Sequence, residues 1–134
     1  MAWRLVLSAM ALILVVGCSA GVNCTAVGCQ SRVTVDVSKL ALPSGATATV
    51  CVNRVCTTAS PSDGKVTGMQ PSNYATTGRP VEVSILVTAP DHRVLAKAAR
   101  QLAVPRIFPN GVKCQPACYD ASLVLGAGGT LSSA

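Results

Sequence analysis

Three observations predict an all-β fold, an antiparallel β-sandwich that is immunoglobulin-like in general architecture. Apolar and polar residues alternate in several short stretches, turn-forming residues separate those stretches, and no stretch holds a helical period unambiguously. The domain also carries six cysteines able to crosslink it.

The elements follow in chain order. Val33, Val35 and Val37 alternate with Thr34 and Asp36, so a strand here gathers three branched side chains on one face. Residues 47–52 repeat the pattern, with Ala48, Val50 and Val52 together and Thr49 and Cys51 opposite. Cys51 then points away from the valine face, which favours a surface or edge bridge, with Cys56 beyond the next turn as the nearest candidate partner. Residues 57–79 are rich in Ser, Thr, Pro and Gly and read as a loop with one short strand at 65–69. Twenty-three residues is long for a loop in a small domain.

Val81, Val83, Ile85 and Val87 form the clearest strand, and Pro90-Asp91-His92-Arg93 then reads as a turn. His92, the only histidine, is expected to be a solvated turn residue rather than a ligand or catalytic base. Residues 94–104 fit either an alanine- and leucine-rich helical face or a strand interrupted by Arg100; the strand is preferred because it completes a hairpin with 81–87. Pro105 and Pro109 bracket Ile107 and Phe108 and keep them at a sheet edge, and Pro109-Asn110-Gly111 signals a turn. The last strand, 117–125, places Tyr119, Ala121, Leu123 and Leu125 on one side and Cys118, Asp120 and Ser122 on the other. Residues 126–134, with Gly-Ala-Gly-Gly and several Ser and Thr, are expected to fray as a flexible tail. The only Trp, Trp3, lies outside the strand region, a departure from immunoglobulin constant domains.

Upstream of the domain, Arg4 precedes twelve uncharged residues, 5–16, which matches the charged and apolar regions of an export signal. Twelve residues at 1.5 Å each are too few to cross a bilayer core of about 30 Å. The run ends in Val15-Val16-Gly17-Cys18, which resembles the lipobox of bacterial lipoproteins. The resemblance implies a diacylglycerol on the Cys18 thiol, cleavage of the Gly17-Cys18 bond, and membrane attachment on the extracytoplasmic face. Two or three acyl chains hold firmly, since each buried methylene contributes about 0.8 kcal/mol. The alternative, a secretory peptide cut near Ala20, exports the chain without the anchor. The resulting layout is a signal at 1–17, the lipidated cysteine and a short tether at 18–23, the disulfide-linked domain at 24–125 and the tail at 126–134.

Setting Cys18 aside leaves Cys24, Cys29, Cys51, Cys56, Cys114 and Cys118, which an oxidising compartment can close into three disulfides in any of 15 ways. Zinc ligation is disfavoured because no histidine lies near any cysteine in the chain, and a redox motif is disfavoured because no pair has Cys-x-x-Cys spacing. No cofactor or metal is expected.

From Cys18 onward the chain has 117 residues, enough for one domain, and a net charge of +5. That balance favours anionic neighbours. Nucleic acid is a poor partner, because the ten basic residues are scattered and only Tyr74, Phe108 and Tyr119 are aromatic. The segments CTAVGCQSRVTVDV, ATVCVNRVC and PNGVKCQPACYDASLVL resemble small lipoproteins of high-GC actinobacteria, which implies an envelope-attached, disulfide-crosslinked β domain and brings no activity with it.

An enzyme is not expected: one histidine sits in a turn, and Asp36, Asp63, Glu82, Asp91 and Asp120 are widely separated. The leading expectation is a non-catalytic surface module that binds another envelope protein or an anionic polymer. Its interface candidates are Tyr74, Arg79, Arg106, Phe108 and Tyr119, because aromatic and arginine side chains supply contact area. Tyr119 reads equally well as a core residue. The runner-up is a small-ligand carrier or chaperone-like lipoprotein, and a structural envelope component comes third.

Overall fold

The computed structural model describes Cys24 and residues 28–69, 79–114 and 117–134. Residues 1–17, expected to be an export signal, together with Cys18 and Tyr74, lie outside the described residues. Among the described residues nine strands follow in order: β1 (Arg32–Asp36), β2 (Thr47–Val52), β3 (Val55–Ala59), β4 (Lys65–Met69), β5 (Val81–Thr88), β6 (Val94–Leu102), β7 (Arg106–Ile107), β8 (Cys118–Leu125) and β9 (Leu131–Ser133). They form two sheets, one ordered β4-β1-β8-β7 with β9 also paired to β8, the other ordered β3-β2-β5-β6.

The inward faces are the alternating residues of the sequence. Val33, Val35 and Val37 of the first strand region, Ala48, Val50 and Val52 of β2, and Val83 and Val87 of β5 are wholly buried, with Leu123 and Leu125 of β8 packed among them. Fully burying such a side chain contributes about 1.5–3 kcal/mol, and this layer holds the sheets together. Outward positions are hydroxyl-rich: Thr47 and Thr88 (3.0 Å) and Thr49 and Thr58 (2.7 Å) hydrogen-bond across neighbouring strands.

Local chemistry sets the turns. Asp63 and Gly64 both adopt positive φ (50° and 71°) between Ser62 and Lys65, whose backbones exchange hydrogen bonds of 3.0 and 2.9 Å. This is the geometry of a two-residue hairpin with both central residues left-handed. Gly64 has a second constraint, since a Cβ there would stand 2.8 Å from Ser38 Cβ, and its carbonyl accepts the Val37 amide at 2.7 Å. At the β2–β3 turn, Asn53 (φ 53°) extends the β2–β5 ladder. Its amide donates to the Glu82 carbonyl (2.7 Å) while its Oδ1 accepts the Glu82 amide (3.0 Å), a side chain standing in for a backbone acceptor.

The strand reading of 94–104 holds as β6, which pairs with β5 through the 90–93 turn, and the short strand at 65–69 is β4. Three expectations need correction. The sandwich is not wholly antiparallel: β1 runs parallel to β8, Val33 opposite Ala121 and Val35 opposite Leu123. Hairpin neighbours must be antiparallel, but these two strands are separated by the whole second sheet, so no turn dictates their direction. At the start of the expected loop, Val55–Ala59 forms β3, an edge strand running from before residue 57 into the loop, whose residues are exposed or half-exposed and carry no buried apolar row to mark them. The tail does not fray where expected. The chain turns back through 126–130, where the Gly126 amide donates to Thr130 (2.9 Å), and β9 pairs with β8 while Leu131 enters the core.

At the end of β1, Asp36 Oδ1 accepts the Ser38 amide at 2.8 Å. Hydrogen bonds from the Ser38 side chain and backbone hold the Asp36 carboxyl below its ordinary range, helped by Lys65 and Lys39. The folded state therefore binds this proton more weakly than the unfolded chain. The stabilisation is complete above the unfolded pKa and is lost as pH falls through the depressed folded value. An Asp36→Ala variant should accordingly show a shallower decline in melting temperature between neutral and acid pH than the parent; equal declines would remove Asp36 from the acid response.

Candidate functional site: the stapled end of the five-stranded sheet

Two disulfides tie the segment preceding β1 to the entrance of β8: Cys24–Cys114, with Cα atoms 5.5 Å apart, and Cys29–Cys118, 5.9 Å apart. The third, Cys51–Cys56, joins directly opposed residues of β2 and β3, as the outward position of Cys51 foretold. All six cysteines are paired, and none of the three bridges crosses from one sheet to the other. Among the described residues the inter-sheet bond of antibody domains has no counterpart.

On the outer face of the five-stranded sheet, beside Cys29–Cys118, an open cleft of about 670 Å³ is lined by Gly28, Cys29, Gln30, Arg32, Ile107 and Asp120. Strand parity builds it. Val33 and Leu123 face inward, so Arg32 and Asp120, which stand opposite each other in the parallel pairing, face outward. The Arg32 Nε donates to Asp120 Oδ2 at 3.3 Å. Such an exposed pair adds at most about 1 kcal/mol of stability; its consequence is to hold a cation and an anion at the rim. Ile107 lies opposite Cys118 in the short β7–β8 pairing and is 39% exposed, an apolar wall open to solvent.

Beyond β7 the chain makes two successive turns. The Gly111 amide donates to the Phe108 carbonyl (3.0 Å) and the Cys114 amide to the Gly111 carbonyl (2.9 Å), as the Pro-Asn-Gly signal predicts. Arg106 stacks its guanidinium 4.8 Å above the Phe108 ring. Val112, at the tip, is 74% exposed.

Of the expected interface residues, Arg106 and Phe108 therefore come together, at the edge the two prolines imply. Arg79 is exposed just before β5 and is not part of the cleft. For Tyr119 the core reading holds and the interface reading does not: it is 6% exposed and belongs to the core, with its amide donating to Ser31 Oγ at 3.1 Å. Arg32, Gln30 and Asp120 escaped the sequence reading. Parity alone places Arg32 and Asp120 on solvent faces, but nothing local brings residues 88 positions apart into contact.

His92 sits in its turn with φ 65°, exposed, its amide donating to the Ala89 carbonyl. Asp91 lies near Arg93 (3.9 Å), and Asp120 faces Arg32. Among the described residues, no three His, Cys, Asp or Glu side chains converge to hold a metal, and no helix is long and apolar enough to cross a membrane. Comparison with known protein families, with curated proteins and with solved structures finds no match to this chain.

Proposed function

We propose that the protein is a lipid-anchored, extracytoplasmic binding module without catalytic activity, which recognises an anionic envelope polymer, or the acidic surface of another envelope protein, through the cleft at the stapled end. The observation that carries this reading is the cleft itself: an exposed apolar wall at Ile107 beside a rim holding Gln30 and the Arg32–Asp120 pair, braced by a disulfide. Arginine beside apolar surface is a common composition of recognition sites. The net positive charge supports an acidic partner, and the signal ending at Cys18 supports the anchor. The immunoglobulin-like general architecture belongs to the same proposal, supported by two sheets stacked over alternating inward residues. A small-ligand carrier fits less well, because the space between the sheets is filled by valine, isoleucine and leucine.

Sedimentation with isolated envelope polymer tests the cleft. Arg32→Glu should weaken retention about tenfold or more, the loss of a contact worth about 1.4 kcal/mol, while Lys39→Glu, the same charge change at an exposed site after β1, should change it little. Equal losses would reduce the binding to net charge and remove the cleft from the proposal.

A further inference from the structure

The turn after β7 gathers features that the cleft does not use. Between Arg106 and Cys114 the sequence RIFPNGVKC holds two cations and no acid. Val112 is the most exposed of the large apolar side chains among the described residues, and the Arg106–Phe108 stack stands at the base of the same turn. Cys114 closes the turn and is bonded to Cys24. Cys24 in turn lies six residues after Cys18. Six residues reach at most about 20 Å when fully extended. A lipid on Cys18 therefore keeps the Cys114 end of this turn within reach of the bilayer, whereas the β5–β6 turn at Val94 lies at the opposite end of the strands.

We infer that the turn carrying Phe108 and Val112, flanked by Arg106 and Lys113, docks onto the anionic membrane surface to which the chain is anchored. This inference rests on the lipid anchor at Cys18 proposed above. Two kinds of complementarity choose the bilayer as occupant. The cations meet acidic headgroups, each worth about a fivefold preference near such a surface. Val112 and the Phe108 ring meet the boundary between headgroup and acyl chain, where apolar and aromatic side chains settle. Docking adds a second contact point to the tether. The domain then stands in one attitude on the membrane, and the cleft on the adjoining sheet face keeps a set direction toward the envelope.

The test uses tryptophan. From Cys18 onward the chain contains none, so one introduced Trp is a unique fluorophore. The full chain, carried through its natural processing, is reconstituted into vesicles of phosphatidylglycerol and phosphatidylcholine, and into phosphatidylcholine alone. The Val112→Trp variant should show a blue-shifted emission, quenched by brominated lipid, on the acidic vesicles. The Val94→Trp variant, also exposed but at the far end of the β5–β6 hairpin, should keep a water-like emission. Adding Lys113→Gln to Val112→Trp should lower the docked-to-undocked ratio about fivefold. Water-like emission from Val112→Trp on protein that floats with the vesicles overturns docking and leaves the anchor standing. Equal blue shifts at both positions overturn it too, as unspecific adsorption. Protein that fails to float, with Cys18 unmodified by mass, removes the anchor and the docking with it.

Discussion

Replacing Cys24, Cys29, Cys114 and Cys118 together by alanine unfolds the domain, whereas removing either long-range bridge alone leaves it folded with a lower denaturation midpoint. The asymmetry follows from chain entropy. Each bridge taken alone closes a loop of about 90 residues, and a loop of that size lowers the entropy of the unfolded chain by the equivalent of about 4.5 kcal/mol. The two bridges are not independent. With Cys24–Cys114 closed, Cys29–Cys118 shuts only the small ring formed by residues 24–29 and 114–118, worth about 2.5–3 kcal/mol. Loss of one bridge thus costs the smaller amount, and loss of both costs about 7 kcal/mol, comparable to the entire stability of many domains. Alanine is the better replacement, because Cys114 and Cys118 are 1% and 2% exposed and a serine hydroxyl there would lie buried. Removing Cys51–Cys56, which spans five positions within a hairpin, should cost about 2 kcal/mol or less. Guanidinium titrations of the single, paired and double-pair variants check the order. Additive losses from the two long-range bridges would contradict the pairing.

A second large effect is expected at Gly68, whose Cβ position is occupied by a neighbour. On β4 it faces inward beside Val66, and a Cβ built there would lie 2.6 Å from Cγ1 of Val50, which is wholly buried on β2 of the opposite sheet. Valine cannot swing its methyl away without leaving its rotamer, so the sheets must separate locally. Gly68→Ala should cost about 1–3 kcal/mol as overpacking, and Gly68→Val more. The geometry also specifies a rescue. Val50→Ala removes the obstructing methyls and alone should cost at least about 1 kcal/mol through the cavity it leaves. The Val50→Ala/Gly68→Ala double variant should then be more stable than the sum of the single losses allows, by 1 kcal/mol or more on the order of contacting pairs. Strict additivity in thermal melts would show that the sheets do not meet at this point.

Much of the fold is legible in the chain because a period of two is a strong signal wherever one face of a strand is buried. Val33–Val37, Val81–Val87 and Leu123–Leu125 all sit as their spacing implies. The signal fails where burial is weak. β3 carries no inward apolar row, since its residues are exposed or half-exposed at a sheet edge. β9 offers a single apolar residue, Leu131, amid glycine and serine. The candidate site was only half legible for a related reason. Arg106 and Phe108 stand near each other in sequence and are gathered by the local proline and glycine turns, so composition pointed to them. Arg32 and Asp120 meet only because the first strand lies parallel against the eighth.

The amino-acid order by itself determined the strand faces, the principal turns, the nearest-neighbour bridge at Cys51–Cys56 and the solvent-facing place of His92, because each depends on residues a few positions apart. Tertiary structure alone decided the direction of β1 against β8, the partners of Cys24 and Cys29, the burial of Tyr119 and the cleft. These are contacts across some 90 residues, and local sequence exerts no preference among them; only the packing of two valine-lined faces into one core selects which distant segments meet.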